Sequence, residues 1–262
     1  MSKRDDVKDL YKKSENASRL ACFLFGLNII LACIAFVASS TSWVDAITTA
    51  EILISILFAA TEITDEVWFL YDAQHERRKS FLSNSLGTNL SDFKTEGYYN
   101  NSYDPSVIRM GINCFENVFF SKNIAAKRAL WEFVKTLICV LIFIFSCLLV
   151  KDKNVLFMIS QVIFSGIFIS NTIRSLAFFV RVKQLYERFR NEFLVSGIKN
   201  DKQLISIIDC VIEYECLKSS FHIMLSSKVF IKNNPEWTIK WSNMEKEIEV
   251  NEEIKKLALL HF

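Results

Sequence analysis

Three stretches of this 262-residue chain are apolar over a length that only a membrane requires. Residues 20–38 are interrupted only by Gly26 and the polar Asn28, and residues 136–150 carry no charge, with apolar character reaching back to residue 130. Residues 155–173 form the third stretch. A helix needs about 20 mostly apolar residues to cross a hydrocarbon core. The sequence therefore predicts three transmembrane helices.

A fourth transmembrane helix is predicted over residues 43–71, for a topological reason. The longest uncharged part of this stretch is residues 52–61. The preceding loop, residues 39–43, is long enough only to turn, and basic segments lie at 3–19 and at 77–79. If residues 20–38 cross the membrane, the chain must cross back to place both basic segments on one side.

The distribution of Lys and Arg predicts the orientation. Basic residues flank the predicted spans on one side, whereas the opposite loops hold only Lys151 and Lys153. Because Lys and Arg near span ends favour the cytoplasm, both termini are predicted to be cytoplasmic. The basic residues on the predicted inner side are Lys3, Arg4, Lys8, Lys12, Lys13, Arg19, Arg77, Arg78, Lys79, Lys122, Lys127, Arg128, Arg174, Arg181, Lys183, Arg188 and Arg190.

The first span is predicted to be a retained anchor. Ala-Ser-Ser at 38–40 weakly resembles a signal-peptide cleavage site, but the basic region before the span is long and the apolar run exceeds a usual signal sequence.

Together these features predict an all-α membrane protein with four transmembrane helices in two hairpins, extended into a cytoplasmic helical bundle. No alternating strand pattern interrupts the helical periodicity. The predicted parts are a basic segment (1–19), a first hairpin (20–71), a connector (72–127), a second hairpin (128–174) and a helical tail (175–262).

The two soluble parts are predicted to be helices separated by turns. In the connector, Gly87, Gly97, Pro105 and Gly111 are interpreted as breaks. In the tail, Gly197 is predicted to end a helix, and the Asn-Asn-Pro at 233–235 to form a turn. Three tail helices are predicted to bury the following residues: Val182, Leu185, Tyr186, Phe189 and Phe193; Leu204, Ile207, Ile208, Val211, Ile212 and Cys216; Trp241, Met244, Ile248, Ile254 and Leu257.

Several classes of function lack support in the residues. The seven cysteines include no CxxC pair, and the three histidines lie far apart, so neither a disulfide framework nor a metal site is predicted. No phosphate loop or hydrolase motif occurs, and neither an enzymatic activity nor a cofactor is predicted. A formal charge of +2 is too small to indicate binding to a nucleic acid polymer.

Acidic residues of the second span carry the first functional hypothesis. Glu51 and Glu62 fall about 20° apart on a helix. Charge is costly in the hydrocarbon, so such residues normally face a bundle interior or water. The stripe is interpreted as a polar path or an oligomer seam, or else as interfacial acids that reach the membrane surface. Its members are Glu51, Ser55, Glu62, Asp65 and Glu66.

Basic, aromatic and amide residues of the connector carry the second hypothesis. Rings stack on bases, Arg and Lys contact phosphates, and Asn hydrogen-bonds base edges, so the combination suits a nucleotide. The alternative is that the basic residues only fix topology and the aromatic residues pack a small core. The candidate ligand-binding residues are Arg77, Arg78, Lys79, Tyr98, Tyr99, Asn100, Arg109, Asn117 and Lys122.

Five short segments resemble a known family. They are AQHERRKSFLSNSL (73–86), GYYNN (97–101), FENVFFSK (115–122), VIEYECLKSSFHIMLSSKVFIK (211–232) and NNPEWTIKW (233–241). In this order they resemble the SMODS-associating four-transmembrane effectors, which are encoded beside cyclic-oligonucleotide synthases in bacterial antiphage defence. The likeness spans most of the chain, but the segments mark no chemistry and assign no binding residue.

The resemblance implies a function in the bacterial inner membrane. A cyclic di- or trinucleotide made during infection would bind the cytoplasmic part and drive homo-oligomerisation of the transmembrane helices, and the membrane would then leak. Two alternatives remain from the residues: a constitutive small channel or transporter subunit, and a membrane-anchored scaffold whose tail binds a protein partner.

Overall fold

The computed structural model describes residues 4–37, 42–93, 95–96, 98–99, 101, 103–149, 151, 153, 156, 167–196, 201–223, 225 and 227–259, which are almost entirely helical. The chain divides into two compact units. The first comprises Met1–Ser80 with Leu90–Tyr98, and the second comprises Phe81–Asn89 with Tyr99–Phe262.

The first unit contains an α-helical hairpin. Helix α1 (Lys8–Val37) packs along α2 (Val44–Thr64), which continues through a π-helical turn (Asp65–Phe69) into α3 (Leu70–Leu86). Two-residue strands, β1 (Arg4–Asp5) and β2 (Thr95–Glu96), pair antiparallel, with Arg4 opposite Glu96. No strand is expected from the sequence, because so short a pair leaves no alternating pattern to detect.

Most apolar side chains of the hairpin point outward. Phe23, Ile30, Ile52, Leu53, Ile56 and Leu57 are all exposed. An apolar surface of this extent on a soluble protein would drive association or aggregation. Lipid tails around the two helices would cover it.

Three helices in the described part of the chain are long and apolar enough to cross a membrane, which is compatible with a multi-pass membrane protein. They lie within Lys8–Ala35, Val44–Leu86 and Val107–Leu149. The spans predicted at 20–38, 43–71 and 130–150 fall on these helices. The span predicted over residues 155–173 lies largely outside the described residues, which resume at Ile167.

The second unit is built on α4 (Val107–Leu149) and α5 (Ile167–Arg190). Helix α5 continues as a π-helical turn (Asn191–Ser196) and is followed by α6 (Asp201–Phe221) and α7 (Ser227–Leu259). Helix α4 packs against α5, α6 and α7.

Aromatic rings fill the core of the second unit. Phe115 is fully buried, and four rings surround it with centroid distances between 5.3 and 6.0 Å. They belong to Tyr186, Phe189, Phe193 and Trp241. Rings at these separations add about 0.5–1.5 kcal/mol per pair to the gain from burial.

Helix α4 has two chemically different parts. Between Met110 and Ala129 it contributes twelve buried residues, whereas from Leu130 onward its large apolar side chains are exposed. At 1.5 Å per residue the helix is about 65 Å long. One continuous helix therefore runs from the aromatic core into a segment suited to the membrane.

Gly111 lies inside α4, so the turn predicted there is wrong. A Cβ atom at this position would lie 2.5 Å from Cγ2 of Ile207 and 2.8 Å from Cζ of Phe193. The glycine is thus needed for close packing rather than for a turn. Gly87, by contrast, does end α3, with φ +66°.

The predicted tail helices are largely confirmed, with two corrections. All five predicted core positions of α5 and its π turn are buried, but Ile212 and Cys216 of α6 are exposed. The turn predicted at 233–235 is wrong, because Pro235 lies inside α7. Gly197, Gly97 and the side chains of Ile254 and Leu257 lie outside the described residues.

Candidate functional site

The end of α3 and the start of α4 are joined by backbone and side-chain hydrogen bonds. Gly87 lets the chain leave α3, and the Ser106 N–H donates to the Ser85 carbonyl oxygen at 3.1 Å. Ser106 Oγ then accepts from the Arg109 N–H at 3.1 Å, which caps the first turn of α4. These bonds place the last turn of α3 beside the first turns of α4.

A buried amide network forms where these turns meet. Asn113, which has no exposed surface, donates through Nδ2 to Oδ1 of Asn84 at 3.2 Å and to Oγ of Ser85 at 2.9 Å. Its Oδ1 accepts from Nδ2 of Asn101 at 2.5 Å. Arg109 Nη2 also donates to Asn84 Oδ1, at 3.3 Å. Asn113 is therefore the hub of the network, with its donor and acceptor atoms both used.

A second polar contact lies one helical turn further along α4. Asn117 Nδ2 donates to the Tyr99 hydroxyl at 2.6 Å, and the Tyr99 ring meets Phe81 edge-on at 6.3 Å. Arg109, Asn113 and Asn117 are spaced i, i+4, i+8, which places them on one face of α4. We call these three residues the α4 polar stripe. It combines a guanidinium group, two amides and an adjacent phenol, the groups that recognise base edges and phosphates.

The predicted ligand-binding residues are divided between the two units. Tyr99, Arg109, Asn117 and Lys122 belong to the second unit, and Asn100 lies outside the described residues. Arg77, Arg78, Lys79 and Tyr98 belong to the first unit. That these residues bind a ligand stays a prediction.

The basic residues of the first unit already have protein partners. Arg77 pairs with Asp5 at 2.9 Å and lies over the rings of Tyr98, at 4.7 Å, and Tyr11, at 5.8 Å. Arg78 contacts Nδ1 of His75 at 2.9 Å, and Lys79 pairs with Glu76 at 2.8 Å. Of the three, Arg77 makes the most of these contacts, and it joins β1 to α3.

The predicted acidic stripe gains a partner from α1. Asn28 Nδ2 donates to Ser55 Oγ at 2.5 Å and to the Glu51 carbonyl oxygen at 3.2 Å, which links the two helices of the hairpin. Among the acids, Glu51 and Asp65 are half-buried, whereas Glu62 and Glu66 are exposed. A polar path or oligomer seam along this stripe stays a prediction.

Ion pairs join α5 to α6. Arg188 of α5 pairs with Asp209, at 2.6 Å, and with Glu213, both on α6. The hydrogen bond with Asp209 raises the pKa of Arg188, in spite of partial burial. Burial raises the pKa of the Cys210 thiol to about 11, so this thiol stays protonated at neutral pH and is a poor nucleophile.

Comparison with known proteins gives no relative. No protein-family model matches the chain, and no curated protein and no solved structure matches it.

Replacing Asn113 with leucine is expected to lower the free energy of unfolding by about 1–3 kcal/mol. The leucine leaves the buried Asn101 amide and the Ser85 hydroxyl without their partner, and an unsatisfied buried polar group costs this much. Urea unfolding of the full chain in detergent, followed by tryptophan fluorescence, measures the change. Gln184→Leu, which also replaces an amide with leucine but at an exposed site of α5, should shift stability by less than about 0.5 kcal/mol. Equal shifts in the two variants would contradict a structural role for the network.

Proposed function

We propose that this chain is a membrane effector of a bacterial antiphage system. It senses a cyclic di- or trinucleotide through its cytoplasmic part and assembles as a homo-oligomer that permeabilises the inner membrane. The proposal combines the resemblance of the five sequence segments with one structural observation, the continuity of α4. No catalytic step is part of the proposal.

The continuity of α4 supports a mechanical link between sensing and permeabilisation. The α4 polar stripe lies near the start of this helix, and the apolar segment that begins at Leu130 lies near its end. An α-helix transmits displacement along its axis because every turn is hydrogen-bonded to the next. A ligand that moves the stripe therefore moves the apolar segment as well.

Helix α5 packs along α4 both in the apolar half of α4 and in the aromatic core. Thr172 Oγ1 lies 2.8 Å from Thr136 Oγ1 and 3.0 Å from the Glu132 carbonyl oxygen, in the apolar half of α4. Further along α5, Phe178, Val182 and Leu185 pack into the aromatic core. The two helices therefore contact each other both in the apolar half of α4 and in the aromatic core, so a ligand displaces them together.

The α4 polar stripe has the chemistry to recognise a nucleotide. Amides of Asn113 and Asn117 can exchange hydrogen bonds with base edges, and the Arg109 guanidinium can bind a phosphate oxygen pair. In the structure these groups bond to neighbouring residues of the protein, so the ligand replaces those hydrogen bonds with its own. The present partners are Asn84, Ser85, Asn101 and Tyr99. This exchange loosens the join between α3 and α4, which is the structural change that the proposal requires.

Permeabilisation is assigned to the first hairpin. Helices α1 and α2 expose apolar side chains along their length, while Asn28 and Ser55 form a polar contact between them. When several copies assemble, the acidic stripe of Glu51, Ser55, Glu62, Asp65 and Glu66 faces the shared interior, because acids avoid lipid tails.

Leakage from liposomes tests the proposal. Purified chain in liposomes is exposed to a panel of cyclic di- and trinucleotides, and release of an encapsulated dye is followed. We expect one nucleotide to trigger release that the others do not. Release without any nucleotide would favour a constitutive channel. No release from protein shown to be folded and inserted would favour a membrane-anchored scaffold.

The variant Glu62→Gln tests in the same assay whether Glu62 lines the path through the membrane. If Glu62 lines the path, the variant should release dye more slowly while binding the nucleotide as the wild type does. The matched control is Glu236→Gln, an exposed carboxylate of α7 that pairs with Lys240 at 2.7 Å. A Glu62→Gln variant with unchanged release would remove this residue from the proposed path.

A further inference from the structure

One cationic side chain lies over an aromatic ring in the second unit, and two more lie on the helix face that carries this ring. Nζ of Lys122, on α4, lies 3.3 Å from the centroid of the Tyr186 ring and 5.7 Å from that of Phe119. Lys183, Tyr186 and Arg190 are spaced i, i+3, i+7, so they share a face of α5. Lys183 and Arg190 are also near enough to Lys122 to act on it electrostatically.

None of these three cations forms an ion pair within the described part of the chain. Glu187 acts on Lys122 more strongly than Lys183 or Arg190 does, without forming an ion pair with it. Arg188, on another face of the same helix, is paired twice. Three cations thus lie against the single carboxylate of Glu187, so this part of the second unit has an excess of positive charge.

The ring holds Lys122 in place without neutralising its charge. Tyr186 is buried, and its hydroxyl donates to Sδ of Met244 at 3.5 Å, which fixes the ring against α7. An ammonium group over such a ring is attracted by the ring's quadrupole. Its charge remains available to an anion, and the side chain is ordered before the anion arrives.

We propose that Lys122, Lys183 and Arg190 form a binding site for a phosphate dianion beside the Tyr186 ring. Two ammonium groups supply point charges, and the Arg190 guanidinium supplies a planar pair of donors that matches two phosphate oxygens. The phosphate belongs to a soluble phosphorylated ligand or to a lipid headgroup, and the chemistry of the site is the same for both. This inference goes beyond the proposed function, because the site binds phosphate whether or not the chain permeabilises a membrane.

Binding of pyrophosphate to the full chain tests the site. The chain is placed in nanodiscs of phosphatidylcholine and titrated with pyrophosphate by calorimetry. Lys122→Gln and Arg190→Gln are each expected to weaken binding about tenfold, since a charge-assisted hydrogen bond is lost in each. One control should bind as the wild type does: Lys240→Gln removes an exposed lysine already paired with Glu236.

Two results would overturn the site: no pyrophosphate binding by the wild type, or equal weakening in Lys240→Gln and Lys122→Gln. Nanodiscs with added phosphatidylglycerol identify the source of the phosphate. Weaker pyrophosphate binding in those discs assigns the site to a lipid headgroup, and unchanged binding assigns it to a soluble ligand. Nucleotide-triggered leakage is scored separately, so the proposed function and this site can fail independently.

Discussion

Replacing Phe115 with alanine is expected to lower the free energy of unfolding by about 3–5 kcal/mol, the range for removing a buried aromatic ring. Phe115 has no exposed surface and touches the rings of Tyr186, Phe189, Phe193 and Trp241. These rings come from α5, its π turn and α7, so one cavity disturbs the packing of α4 against both. Because whole domains are stable by only about 5–15 kcal/mol, the variant loses a large share of its stability.

The measurement is urea unfolding of the full chain in detergent. Trp241 reports the change directly, since its ring lies 5.3 Å from Phe115. Phe145→Ala is the matched control, because that ring is 62% exposed in the apolar half of α4. The control should leave the unfolding of the aromatic core within about 0.5 kcal/mol of the wild type. If the two variants unfolded alike, Phe115 would not be the centre of the core.

Breaking α4 at Trp131 is expected to abolish nucleotide-triggered leakage while leaving nucleotide binding intact. Trp131 is 63% exposed and lies just beyond the last buried residue of α4, Ala129. Proline at this position removes a helical hydrogen bond and clashes with the preceding turn, at a cost of about 3 kcal/mol or more. The α4 polar stripe and the aromatic core lie before the break, so both persist.

The variant Trp131→Ala distinguishes the effect of breaking the helix from the effect of losing the indole side chain. Alanine removes the same indole but keeps the helix, so leakage should stay near the wild-type level. Dye release and nucleotide binding are measured on the same preparations of all three proteins. Wild-type release from the proline variant would show that the proposed link does not run through α4.

The apolar spans could be predicted from the sequence because membrane helices obey a simple constraint of length and composition. The spans predicted at 20–38, 43–71 and 130–150 fall on the helices within Lys8–Ala35, Val44–Leu86 and Val107–Leu149. Residues 43–71 are the hardest to predict, because five acidic residues fall within them. Their assignment depended on the positions of Lys and Arg in flanking segments.

The boundaries inside the soluble parts were less predictable. Gly111 has the residue type of a turn, yet it lies in α4 because Ile207 and Phe193 leave no room for a Cβ atom. Likewise the Asn-Asn-Pro at 233–235 predicts a turn, although α7 continues through Pro235. Residue type does not separate a glycine required by backbone conformation from one required by close packing, since the contacting residues are distant in the chain.

Part of the candidate site could be predicted from the sequence. The spacing of Arg109, Asn113 and Asn117 places them on one face of any helix that contains them, so the α4 polar stripe could have been found. Its hub could not, because Asn84 and Ser85 lie on a different helix and their contacts depend on the turn at Gly87. The same limit applies to Arg77, whose partner Asp5 is 72 residues away.

The π-helical turn at Asp65–Phe69 divides the continuous helix formed by α2 and α3 into two parts. The side chains of the two parts follow different angular positions around the helix axis. Its i→i+5 hydrogen bonds take up an extra residue, so side chains after Phe69 are rotated by up to about 100° from where an unbroken α-helix would place them. A stripe counted from Glu51 therefore no longer identifies the face that Arg77 occupies. The face that α2 presents is thus out of angular register with the face on which Arg77 pairs with Asp5 of β1.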